Sequence, residues 1–172
     1  LAKSQAGTVI DYLDSFAKYS EHEIFEIPML NIFPSKLKLE NFDIVIIHYT
    51  LSIGNLIEHY LGKELISLLK NFKGLKVAFI QDEYRYISTI INNIKFIGLD
   101  LLFTCVPNYE IEKVYPKKVL PHLKIVNILT GYLPENLVNY VNILPIKDRK
   151  IDIGYRARKM PFSLGKLGYE KY

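Results

Sequence analysis

The densest chemistry in this 172-residue sequence is the run Gln81-Asp82-Glu83-Tyr84-Arg85. Two adjacent carboxylates, a Tyr and an Arg follow an apolar stretch. A carboxylate beside Arg85 stays ionised, while a less solvated neighbour has its pKa raised and can exchange protons. Asp82 and Glu83 are therefore candidate catalytic residues, with Tyr84 and Arg85 as substrate contacts. A structural reading competes: one carboxylate caps the next helix and Arg85 pairs with it. His48 closes a second apolar run, and its near-neutral titration makes it a candidate base. A lone His at a strand end also serves as an ordinary structural residue. His22, His59 and His122 sit on a turn, a polar helix position and a loop. Cys105 reads as a small buried hydrophobe.

These residues need a scaffold, and the sequence outlines one. Short β-branched runs predict strands at Ile24–Pro28, Asp43–His48, Lys76–Asp82, Asp100–Thr104, Ile125–Leu129 and Ile151–Tyr155. Several are nearly continuous apolar runs, as in strands covered on both faces. Helical spacing lies between them. Thr8 with Asp11 predicts a capping-box start to a helix faced by Val9, Leu13, Phe16 and Ala17. Gly54–Phe72 reads as the longest helix, with Gly74 as a left-handed cap. Tyr86–Ile97 ends at Gly98 in the same way, and Asn108–Val114 stops before Pro116. Pro134 opens a helix to about Val141. Met29–Asn41 is a long irregular connection.

Such alternation predicts an α/β fold, a Rossmann-like and mostly parallel sheet flanked by helices. Ligands of such sheets bind beyond the carboxyl ends of the strands. That rule singles out Gly7-Thr8, His48-Tyr49, the QDEYR run, Thr104-Cys105 and Thr130-Gly131-Tyr132. Gly7 and Thr8 offer backbone N–H groups suited to a phosphate or a sugar hydroxyl. Neither GxGxxG nor GxxxxGK[ST] occurs, which argues against dinucleotide and P-loop nucleotide sites.

Composition narrows the class further. The chain is 49% hydrophobic and 23% charged, enough to bury a core. One Cys excludes an internal disulfide, and with 4 scattered His it argues against a structural metal. The net charge of +4 is unevenly placed. Residues 1–146 carry 14 Lys/Arg against 15 Asp/Glu, and residues 147–172 carry 8 against 3. A neutral body argues against a nucleic-acid partner. The break predicts a domain over 1–146 and a linker opening a second domain over 147–172. Arg156, Arg158, Lys159 and Lys166 there form a candidate diphosphate clamp, with a solvated basic linker as the alternative. No stretch has a signal-peptide pattern or the roughly 20 apolar residues of a membrane span. The sequence opens at Leu1 with a helix, so a further strand is expected before it.

Six segments match a known pattern in order: GTVIDYL, FDIVIIHY, FIQDEYR, LFTCVP, TGYLPE and IDIGYRARKMPFSLGKLG. With them the chain resembles the N-terminal, acceptor-side half of bacterial GT-B glycosyltransferases of the retaining, family-4-like group. The resemblance implies two Rossmann-like domains across a cleft. The second would bind a nucleotide-sugar donor, and the acceptor would be a glycan or small molecule. No metal and no other cofactor are implied, and the setting would be the cytoplasm or the inner membrane face. Gly7-Thr8 would then lie near the donor phosphates. Asp82-Glu83 would stand where many relatives carry a functional His. His48-Tyr49 and Thr130-Gly131-Tyr132 would line the cleft, and Arg156, Arg158 and Lys166 would hold the diphosphate. The motif with two spaced glutamates, typical of the donor domain, does not occur, so these residues alone are expected to be inactive. A non-catalytic ligand-binding module is the alternative.

Overall fold

A computed structural model of the protein describes residues 7–28, 32–54, 57–83, 85–129, 131, 135, 139, 144–155, 162, 166 and 170. The chain divides into two compact units, Leu1–Tyr132 and Leu133–Tyr172.

The first unit is α/β, as the alternation predicts. Its elements run α1 (Gly7–Tyr19), β1 (Ile44–Ile47), α2 (Ile57–Asn71), β2 (Leu75–Ile80), α3 (Ile87–Ile97), β3 (Leu101–Thr104), α4 (Ile111–Val114) and β4 (Lys124–Asn127). The four strands form one sheet in the order β1-β2-β3-β4, and every pairing is parallel. Right-handed crossovers in a sequential parallel sheet put all connecting helices on one face. The core agrees. Ile47, Ala78, Ile80 and Leu102 share a buried cluster with Leu61, Leu65 and Leu69 of α2 and Ile90, Ile94 and Ile97 of α3.

The opposite face belongs to α1. Period-2 alternation sends Phe79 and Phe103 to that side, where the registered pair stacks at 4.5 Å. Phe16 meets Phe79 edge-on at 5.4 Å, and Tyr12 meets it at 5.9 Å. No residue of α1 is buried. Ile44, Ile46 and Leu75, the residues toward the β1 edge of this face, stay 38%, 41% and 41% exposed.

Three local features fix where the loops start. The Lys76 N–H donates to Asp100 Oδ2 at 2.8 Å, tying the start of β2 to the start of β3. Gly98 caps α3 in the left-handed region, with Gly98 and Leu99 both donating to the Ile94 carbonyl. Gly74 behaves differently from the expected left-handed cap, since its φ is not positive. It is required by crowding, because a Cβ there would stand 2.2 Å from the Asp43 carbonyl oxygen. The long helix also departs from expectation. It starts at Ile57 and breaks at Gly62, whose φ of 72° and ψ of 152° suit only glycine.

Two expected strands are absent. Ile24–Pro28 is irregular, and Phe25 packs edge-on against Phe42 at 5.6 Å. Ile151–Tyr155, in the second unit, is also irregular and open to solvent, with Ile153 92% exposed. An apolar alternation makes a strand only where a neighbour supplies the ladder. Thr8 lies in the first turn of α1 rather than at its cap, because the helix already includes Gly7. The helix expected from Pro134 falls mostly outside the described residues. The second unit holds one described single-turn helix, Ile146–Asp148. Among the described residues no helix is long and apolar enough to cross a membrane.

Candidate functional site

The carboxyl edge of the sheet gathers the candidates of the first unit. His48 follows β1, Gln81-Asp82-Glu83 follow β2, and Cys105 follows β3. Each loop is pinned by one polar side chain. Asn93 of α3 donates to the Ile53 and Gly54 carbonyls at 2.7 and 3.1 Å, fixing the loop after His48. Asn127 of β4 donates to the Val106 carbonyl at 2.8 Å, fixing the loop after Thr104. The third pin is Glu83 itself.

The Glu83 carboxylate accepts hydrogen bonds from the Thr104 hydroxyl and, at 3.0 Å, from the Tyr115 hydroxyl. Thr104 and Tyr115 are both fully buried. Burial raises the Glu83 pKa above its ordinary value, and these hydrogen bonds partly offset that. The same burial, with the Glu83 charge beside it, raises the Tyr115 pKa. Glu83 is therefore a strut between two strands' loops.

Its neighbour Asp82 has the opposite setting. Asp82 is exposed and held at φ 63°, and Tyr86, four residues on, sits at φ 56°. Two non-glycine residues in the left-handed region within five positions mark a strained turn of the kind that collects at functional sites. The structural reading of this run does not hold. Neither carboxylate caps α3, whose cap residue is Tyr86 and carries no side-chain cap bond. Arg85 turns to Tyr86, donating to its hydroxyl at 3.2 Å and lying over its ring. The expectation that Arg85 steadies one carboxylate is likewise corrected, because hydroxyls hold Glu83 instead.

His48 is 7% exposed. Its ring lies 4.1 Å from the Tyr49 ring and 5.3 Å from the Tyr12 ring of α1. Nδ1 meets the Thr50 hydroxyl at 2.9 Å and accepts the Thr50 backbone N–H at 3.4 Å. Nε2 is buried with no hydrogen-bond partner. Burial lowers the His48 pKa to about 4, so the ring is neutral at neutral pH. That setting does not suit a general base, which works best with a pKa near the working pH. Burial also pushes Tyr12 up to about 12 and raises Tyr49.

Gly7 and Thr8 are exposed at the start of α1. Gly131 is exposed at φ 89°. Lys166, in the second unit, pairs with Glu170 at 3.5 Å. Tyr84, Thr130, Tyr132, Arg156 and Arg158 lie outside the described residues. Cys105 is half-buried at the sheet edge rather than fully interior. Among the described residues no three His, Cys, Asp or Glu side chains converge to hold a metal.

Sequence reasoning singled out Thr104 at this edge and missed Tyr12, Tyr115 and Asn93. Thr104 carried a signal, being the hydroxyl that ends an apolar strand. The other three come from helices or a helix end remote in sequence, and only the packing brings them in.

The fold and the carboxyl-edge cluster define a Rossmann-like α/β domain. Comparison of the chain with protein-family models, curated proteins and solved structures finds no match.

Proposed function

We propose that this chain is the acceptor-side half of a glycosyltransferase that moves a sugar from a nucleotide-sugar donor to a glycan or small-molecule acceptor. One observation carries the reading. Asp82 is held exposed, in a strained turn, at the carboxyl edge of an all-parallel sheet, where α/β folds bind ligands. In this reading Asp82 orients the acceptor hydroxyl or takes its proton, and Glu83 fixes the turn. His48, Tyr49 and Tyr12 form the wall toward β1. A second α/β domain binds the donor, and Arg156, Arg158 and Lys166 are the candidates for its diphosphate.

Release of nucleoside diphosphate from a panel of nucleotide-sugars by the full-length protein tests the reading. Turnover should fall by about 10²-fold or more in Asp82→Asn, the usual loss for an acid–base group. A second reading, a non-catalytic ligand-binding module, is favoured by one finding: His48 is neutral and buried, and Glu83 is fully engaged. It predicts ligand binding without turnover of any donor.

A further inference from the structure

The His48 ring leaves one hydrogen-bonding group unaccounted for. A backbone N–H can only donate, so the Thr50 N–H makes Nδ1 an acceptor. In the neutral ring the proton then sits on Nε2. Nε2–H is a buried donor with no acceptor, and buried polar groups are nearly always paired. Leaving one unpaired costs free energy that a ligand oxygen would return.

The surroundings say which oxygen. The rings against His48 are those of Tyr12 and Tyr49, and the strand register sets Phe79 level with it, one step beyond the Ile47–Ala78 pair. Burial is what lowers the His48 pKa, and among the described residues its ring neighbours are aromatic. An anion would be desolvated there without a counter-charge, a cost of several kcal/mol or more. A neutral ring with C–H faces and a hydroxyl suits aromatic walls that hold a single polar group. The cover over this place is thin, since α1 buries none of its residues and reaches the sheet through Tyr12 and Phe16.

We infer that the aromatic enclosure beneath α1 is a binding site for a neutral saccharide ring, which displaces Tyr12 and accepts the His48 Nε2–H on a ring oxygen or hydroxyl. His48 is then a fixed donor rather than a base. The inference rests on the glycosyltransferase reading only in naming that enzyme's acceptor as an uncharged sugar.

The test uses the full chain labelled with ¹⁵N-histidine. Long-range proton–nitrogen spectra at pH 7 should show the His48 proton on Nε2. Glucose, galactose, mannose and N-acetylglucosamine are then added one at a time, with inorganic phosphate as the charged comparison. At least one saccharide should move the Nε2 resonance, and phosphate should not. His48→Gln, which keeps a donor near the Nε2 position, should retain binding. His48→Phe, which keeps the ring and loses the donor, should weaken it on the order of tenfold. A proton on Nδ1, a shift with phosphate alone, silence with every saccharide, or unchanged affinity in His48→Phe overturns the inference. The tautomer measurement needs no variant and stands even if a variant fails to fold. Saccharide binding without donor turnover would sink the transferase reading and leave this one. Turnover without binding beneath α1 would do the reverse.

Discussion

Tyr115 donates its hydroxyl to Glu83 across 32 residues of chain, at 3.0 Å, and so ties the end of α4 to the turn that follows β2. Two loops that meet nowhere else in sequence are thereby held as one surface. The two adjacent carboxylates divide: Glu83 is held by two buried hydroxyls, and Asp82 beside it is exposed.

The strut has a measurable worth. Tyr115→Phe removes one donor and leaves Glu83 half-buried with less compensation, a cost of about 1–3 kcal/mol. Glu83→Gln keeps an acceptor oxygen for both hydroxyls and should cost less than Glu83→Ala. Urea unfolding of the three variants checks the order, and amide exchange at residues 82–86 should quicken most in Glu83→Ala.

Asp82 trades stability for presentation. A non-glycine residue in the left-handed region is strained by about 1 kcal/mol. Asp82→Gly relieves the strain and loosens the unfolded chain, so stability should change little or rise slightly, while donor turnover collapses. Thermal unfolding beside the nucleoside diphosphate assay separates the two. A large stability loss in Asp82→Gly would show that the carboxylate is structural.

His48 makes stability depend on pH in a stated direction. Its folded pKa, about 4, lies below the ordinary value of 6.5. Between those values the unfolded chain binds the proton and the folded chain does not, so stability falls as pH falls. The contribution is complete above pH 6.5 and is lost as pH falls, by at most about 3 kcal/mol at pH 4. Glu83 works oppositely. Its raised pKa means the folded state holds the proton longer, so its contribution falls as pH rises above the ordinary carboxylate range. Urea titrations from pH 4 to 7 should show His48→Phe with a flatter acid limb than the parent. Glu83→Gln should keep the His48 slope and lose the opposing one.

Gly74 tests the crowding between the start of β2 and the segment before β1. With a Cβ only 2.2 Å from the Asp43 carbonyl oxygen and 2.4 Å from the Phe72 ring, Gly74→Ala should destabilise by about 3 kcal/mol. An Ala variant of parent stability would show that the strand start gives way freely.

The fold class was legible because four apolar runs alternate with helical spacing, and each of them became a strand. The two runs that did not, Ile24–Pro28 and Ile151–Tyr155, have the same residue types. Neither segment is paired into the sheet, and pairing is a long-range choice that no local pattern encodes. The edge residues after the strands were equally readable from the sheet rule, and His48 and Asp82 stand there. Their division of labour was not. The pairing of Glu83 with Tyr115 and the burial of His48 under Tyr12 are long-range contacts, set by packing between helices and loops far apart in sequence. Gly74 shows the same limit, since a glycine needed for close approach and one needed for a left-handed cap look alike in sequence.

The sequential strand order bears on how the domain assembles. Each strand pairs only with its neighbours in chain order, so a ribosome delivering the polypeptide from its N-terminus supplies every ladder partner in working order. The sheet can grow one βα unit at a time, with short loop closures at each step. Helix α1 is the exception: made before these strands, it has no seat until Phe79 and Phe103 have emerged and stacked. Helix α1 is thus made before β2 and β3 but docks only after both.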